Sequence, residues 1–327
     1  MDISDFSYED FASTLSKARI ISQKHKYKCC IPGCNEITLK HSHIVPQCVL
    51  KKYICNDKHE LIQCQIDEVH PMSFIDSGEL PLEKFQTFGI EKAMSMPIFC
   101  KKHDNGLFDE YEKNADGIIP TDIRFQVLQS LRAVGALRYH NLKLLVENEA
   151  KREKNPFYQG GIYDEEKKAW EFMQRRYDSS IVLLYDAIEN NDFNSYVFCC
   201  IELAPLKLAI CDAIVDDSDF EELCFDETCS APLDMLFVHL LPKGEHSYLM
   251  LGYDKRHVSR RLMMLLKKWK KVLVHDTDFR TLYDILCHCS NNWCISPDCD
   301  ERLLSALISR YSEDRICLLY TSDAADE

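Results

Sequence analysis

The chain is predicted to be of the α+β class, with a metal-knit N-terminal domain, a hairpin of long helices, and a small antiparallel sheet followed by C-terminal helices. Three observations predict it. Cysteine and histidine fall in two tight pairs far apart in the chain, Cys30 with Cys34 and Cys100 with His103. Two long stretches then repeat apolar residues every three or four positions, and four short β-rich runs follow them. The expected boundaries are 1–119 for the first domain, 120–316 for the second, and 317–327 for a tail to be set aside. That tail, CLLYTSDAADE, resembles the translation of a sequencing-library adapter and reads as a read-through scar.

Taken in order, Phe11, Leu15, Ala18 and Ile21 predict a helix over Tyr8–Gln23. Pro32-Gly33 is a turn-forming pair between Cys30 and Cys34, suited to aiming two sulfurs at one ion. Ile37–Leu39 reads as a short strand, His41–Pro46 as a turn or second strand, and Gln47–Ile54 as a helix. The segment Cys55–Pro97 is an insertion between the metal half-sites. It holds a strand over Glu60–Val69, loops around Pro71, Asp76-Ser77-Gly78 and Pro81, and a helix over Leu82–Met94 interrupted near Gly89. Cys100–Glu112 is helical, with Leu107, Phe108 and Tyr111 on its apolar face.

Ile123, Val127, Leu131, Val134 and Leu137 predict a long helix over Asp122–Arg152. A second stripe of Trp170, Met173, Tyr177, Ile181, Leu184 and Ile188 follows the Asn155-Pro156 and Gly160-Gly161 break, so the two helices form an antiparallel hairpin. Tyr196–Glu202, Lys207–Ile214, Met235–Leu241 and Ser247–Tyr253 are strands, the last two joined across Pro242–His246. Helical spacing returns over Val258–Val274, Asp278–Cys287 and Ser296–Tyr311.

Composition bounds the function. With 46% hydrophobic and 28% charged residues among 327, the chain can bury an ordinary globular core. No apolar run approaches the roughly 20 residues of a membrane span. The 17 cysteines follow an acidic Met1–Asp10 that lacks a leader's apolar run, so free thiols in a reducing cytoplasm are expected rather than disulfides. A net charge of −14 excludes a general nucleic-acid coat and leaves only local contacts. One basic segment, Lys17 to Lys52, has Glu36 as its only acid and coincides with the first metal pair. A second, Lys255 to Lys271, reads as a solvated helix face.

Cys30, Cys34, Cys100 and His103 form a Cys3His set suited to Zn2+, with Cys29 an alternative to Cys30. Four protein ligands make such a site structural. Cys199, Cys200, Cys211 and Cys224 lie in β-type runs and read as core.

Around this set the chain resembles the HNH, or ββα-metal, nuclease family over about residues 27–112. The residues carrying the likeness are Cys30 and Cys34, then Ser42-His43-Ile44-Val45-Pro46, then Phe99-Cys100-Lys101-Lys102-His103-Asp104-Asn105 before Leu107-Phe108. The run FGIEKAMSMPIFCKKHDNGLF is also similar to a bacterial subgroup with the same Cys-x-x-His-Asp signature. The resemblance implies a ββα-metal-like first domain and phosphodiester hydrolysis, with His43 as the general base that activates a water. It implies a second divalent cation, Mg2+ or another, held by Asp104 where the family has its last histidine, and an orienting asparagine at Asn56 or Asn105. Ser42 stands where the family usually has an acidic metal ligand, and His41 is a possible replacement ligand.

Lys40, Lys51 and Lys52 would hold the backbone of a nucleic acid, most simply DNA. The competing function class is a catalytically silent, zinc-stabilised module that binds nucleic acid or protein. In either case the second domain offers a surface for a protein partner.

Overall fold

A computed structural model describes residues 8–66, 83–159, 161–216, 229–273, 280–290 and 292–299. The 317–327 tail, the C-terminal part of the helix expected over Ser296–Tyr311, Cys224 and the loops around Pro71–Pro81 lie outside these residues. The protein is mixed α+β, built around one seven-stranded antiparallel sheet.

Helix α1 (Tyr8–Lys24) leads into the cysteine knuckle. Strand β1 (Ser42–His43) follows, then α2 (Gln47–Val49), which continues as a π-helical turn (Leu50–Ile54). The insertion contributes β2 (Glu60–Ile66), β3 (Glu83–Gly89) and the two-residue β4 (Ser95–Met96). Helix α3 (Lys101–Glu112) and the long pair α4 (Ile123–Lys154) and α5 (Ile162–Glu189) come next. Strands β5 (Tyr196–Leu203), β6 (Leu208–Val215), β7 (Met235–Lys243) and β8 (His246–Asp254), helices α6 (Arg260–Leu273) and α7 (Arg280–His288), and β9 (Trp293–Ile295) complete the described chain.

Side-chain alternation along the sheet builds two cores. Ala209, Cys211, Ala213, Met235 and Phe237 join one core, while Leu208, Ile210, Ile214, Leu236 and Val238 join the other. The first face is covered by α4, whose Phe125–Leu137 stretch is buried all round, and α4 in turn packs on α5. The second is covered by Leu262, Leu266, Trp269 and Leu273 of α6 with Leu282, Ile285 and Leu286 of α7. Burial on both faces explains why β6 and β7 read as near-continuous apolar runs.

The helical hairpin is antiparallel: Arg124 bonds the Ile188 carbonyl, Arg138 pairs with Asp178, and Asn141 donates to the Trp170 carbonyl. The β7–β8 connection is tighter than the expected Pro242–His246 loop. Both strands run to a two-residue Gly244-Glu245 turn, with Gly244 at φ +59°.

Three expectations change. The segment Ile37–Leu39 forms no strand, Ile37 making only an isolated bridge with Lys28. The helix over Leu82–Met94 is instead β3 followed by a turn. Phe85 and Phe88 are three apart and mimic a helical stripe, but β3 pairs with β2 over seven residues and Phe85 packs against Trp293. The sheet is also larger than expected, in the order β3-β2-β9-β6-β7-β8-β5. The β2–β3 hairpin reaches it through β9, so the sheet takes strands from both sides of residue 119.

Candidate metal centre and the His43 ribbon

Backbone hydrogen bonds hold the two halves of the metal centre together. Lys28 bridges Ile37, the Cys29 amide donates to the Glu36 carbonyl, and Cys34 closes the turn on Ile31 with Gly33 at φ +74°. The distant segment is laced to this knuckle where the Cys30 amide bonds the Ile98 carbonyl and the Leu39 amide bonds the Phe99 carbonyl. Helix α3 then starts at Lys101, placing Cys100 at its N-cap and His103 in its first turn.

Cys29, Cys34, Cys100 and His103 bring one ligand atom each within 4.8 Å of one another. Cys29 Sγ and Cys100 Sγ lie 3.4 and 3.3 Å from His103 Nδ1, and Cys34 Sγ lies 3.8 Å from Cys100 Sγ. A tetrahedral zinc ion puts two sulfurs about 3.8 Å apart and a sulfur and a nitrogen about 3.5 Å apart, so the donor set fits. Cys29 completes the group rather than Cys30, which points into the core. Two adjacent residues of an extended segment project to opposite sides, and spacing alone could not say which faced the ion.

The thiols are tuned unequally. Burial, with the neighbouring Cys100 and Cys34 sulfurs, pushes the Cys29 thiol up to about 12. At Cys100 burial also raises the thiol, but the His103 amide and the Cys34 and Cys29 thiols outweigh it, leaving Cys100 below the ordinary value. Burial, with Lys102, lowers His103 and favours the neutral imidazole a metal requires. Tyr185 of α5 meets the His103 ring edge-on, so the helical hairpin closes one side of the centre.

Beside it, β1 pairs with β4 through Ser42↔Met96 and His43↔Ser95, and α3 follows. His43 is half-buried, and its Nε2 lies 3.0 Å from the Ile90 carbonyl. A carbonyl only accepts, so Nε2 carries the proton and Nδ1 of the neutral ring is the basic nitrogen. Ser42 is wholly buried, bonded to the Phe99 backbone. Asp104 lies within electrostatic reach of His43. Burial raises its carboxyl above the usual range, while the Arg132 guanidinium and the Ser42 hydroxyl hold it back, and its Oδ1 has no hydrogen-bond partner.

The other expected residues are dispersed. Asn105 is exposed on α3, one position round from Asp104. The Asn56 side-chain Oδ1 is spent on the amides of Lys58 and Glu60. Exposed His41 bonds Ser95 at 3.1 Å. Lys40 and Lys51 are exposed, whereas Lys52 is tied to Asp116.

Three contributors escaped the sequence reading. Ile90 acts through its backbone, which no side-chain pattern reveals. Lys92 lies close enough to His41 to lower that imidazole, after burial and Lys40. Arg132 arrives from α4, pairs with Glu112 and stacks 4.0 Å from the Phe108 ring centre. A lone arginine inside the apolar Val127–Leu137 run was the available signal. Glu112 also accepts from the Gln47 amide at 2.8 Å, tying the start of α2 to the end of α3.

Among the described residues no helix is long and apolar enough to cross a membrane. No protein-family model matches the chain, and no curated protein or solved structure does so either.

Proposed function

We propose that this chain is a metal-dependent endonuclease of HNH type, with the Cys3His centre as a structural zinc frame and His43 as general base. The observation that carries the reading is the hydrogen bond from His43 Nε2 to the Ile90 carbonyl. It fixes the ring and leaves Nδ1 to take a proton from water as that water attacks a phosphodiester. Asp104, with its unpartnered Oδ1, is the carboxylate that would hold a divalent cation, the remaining positions falling to water and phosphate oxygens. Such a cation supplies charge stabilisation at the phosphoryl and leaving oxygens. Lys40 and Lys92 beside the ribbon, with Lys51 on the turn after α2, are exposed and would bind the substrate backbone without reading its sequence.

One observation favours the competing reading, a zinc-stabilised binding module without catalysis. Ser42 offers a buried hydroxyl, already bonded to the Phe99 backbone, where a second carboxylate ligand would stand. Supercoiled plasmid incubated with Mg2+ or Mn2+ separates the two. Relaxation by the wild type and its loss in His43→Ala supports the nuclease; equal activity or equal inactivity removes it.

A further inference from the structure

We propose that α6 is a docking surface for the phosphate backbone of a nucleic-acid duplex, on the opposite face of the sheet from His43. Its sequence, RRLMMLLKKWKKVL, carries six cations and no acid in a chain of net charge −14. The cations are sorted by face. Leu262, Leu266, Trp269 and Leu273 are buried against the sheet and α7, and the indole N–H is fixed by Asp284 at 2.6 Å. Ser259 caps the start through its hydroxyl to the Leu262 amide.

Opposite the buried stripe, Arg260, Lys267 and Lys271 fall within about 40° of one another on a 3.6-residue wheel. All three are exposed, as are the flanking Arg261, Lys268 and Lys270. Lys268 is paired with the partly exposed Asp284, and Arg261 with the buried Asp216. Arg260, Lys267, Lys270 and Lys271 have no ion pair among the described residues. From Arg260 to Lys271 the cations line about 16 Å of helix axis, a length over which a duplex presents about ten phosphates.

Charge complementarity selects a polyanion, and the packing selects among polyanions. A membrane-surface helix inserts an apolar face beside its cations, but here that face, Trp269 included, is consumed by the core. A protein interface is organised around apolar or aromatic anchors, and of the large apolar side chains on this helix only Met264 and Val272 are exposed. A row of cations on a rigid, pre-packed helix suits sequence-independent contact with phosphates.

The test is fluorescence anisotropy of a labelled 30-base-pair duplex against the full chain, without added divalent cation, over a series of salt concentrations. The triple variant Lys267→Glu/Lys270→Glu/Lys271→Glu should weaken binding by at least about tenfold and lower the slope of log affinity against log salt by roughly 2 to 3. Circular dichroism and zinc content verify its fold. Should it fail to fold, the neutral pair Lys267→Gln/Lys271→Gln should still lower the slope, by roughly 2.

Unchanged affinity and slope would overturn the proposal. So would variant-sensitive binding to phosphatidylserine vesicles with none to the duplex. The assay reads binding alone, so its outcome is separate from the nuclease test: plasmid relaxation can persist when α6 binding fails, and α6 binding can persist in His43→Ala.

Discussion

Cys29 and Cys30 are adjacent but face opposite ways: Cys29 Sγ lies 3.4 Å from His103 Nδ1, while Cys30 Sγ lies 3.7 Å from where a Cβ on Gly135 would stand. Cys29→Ser should therefore abolish stoichiometric zinc, and Cys30→Ala should retain one zinc per chain at a stability cost of about 1 kcal/mol for the lost packing. Metal analysis by mass spectrometry on both variants checks this. Zinc lost from the Cys30 variant and kept by the Cys29 variant would reverse the assignment.

Zinc affinity should rise with pH. Burial pushes the Cys29 thiol up to about 12, so its proton must leave when a metal binds. Each proton released makes affinity fall about tenfold per pH unit on acidification. Competition with a chromophoric chelator between pH 6 and 8 measures the slope, and a flat profile would exclude thiol ligation.

Two glycines are required by close packing rather than by turns. A Cβ at Gly135 would lie 2.5 Å from Ile98 Cγ2, and one at Gly252 would lie 2.1 Å from the Phe198 ring. Gly135→Ala and Gly252→Ala should each destabilise by about 1–3 kcal/mol, despite alanine's better helix propensity at the first position. Urea unfolding midpoints give the result. Gly135→Ala should also loosen zinc, because Ile98 carries the carbonyl that binds the Cys30 amide.

Glu112 compensates the buried Arg132 and caps the Gln47 amide. Glu112→Ala leaves that guanidinium unpaired, and the expected loss is about 3 kcal/mol, while Glu112→Gln retains an acceptor and should lose less. Equal stability of both variants with the wild type would show that Arg132 finds another partner.

Asp212 makes stability pH-dependent. Burial raises its carboxyl to about 6, although the amides of Ala213 and Ser290 and the Asn292 side chain oppose the shift. The folded state thus holds a proton that the unfolded chain releases near pH 4. Stability from this group is fully present below that pH and declines as pH rises through about 6, by on the order of 3 kcal/mol. Asp212→Asn lacks the decline, so its deficit relative to wild type should be smaller at pH 7 than at pH 4.5. A constant deficit in chemical unfolding across that range would contradict the shift.

Much of the architecture was legible because it is local. Helical spacing located α4 and α5, β-rich runs located β5 to β8, and the paired Cys and His residues located the metal centre. Segment β3 was misread because its aromatic spacing matches a helix, and only pairing with β2 makes it a strand. Around His43, the side chains could be named in advance but the partners could not. The Ile90 carbonyl is a backbone group, and Arg132 comes from a helix in the expected second domain.

The sequence by itself determined the periods, the ligand types and the sharp sorting of charge along α6, since these depend on neighbours within a few residues. Only the tertiary structure decided that Cys29 faces the metal, that the insertion extends the sheet, and that the apolar side of α6 is buried while its cations face solvent. Each of these depends on which distant segment packs alongside, and residue spacing along one segment does not carry that information.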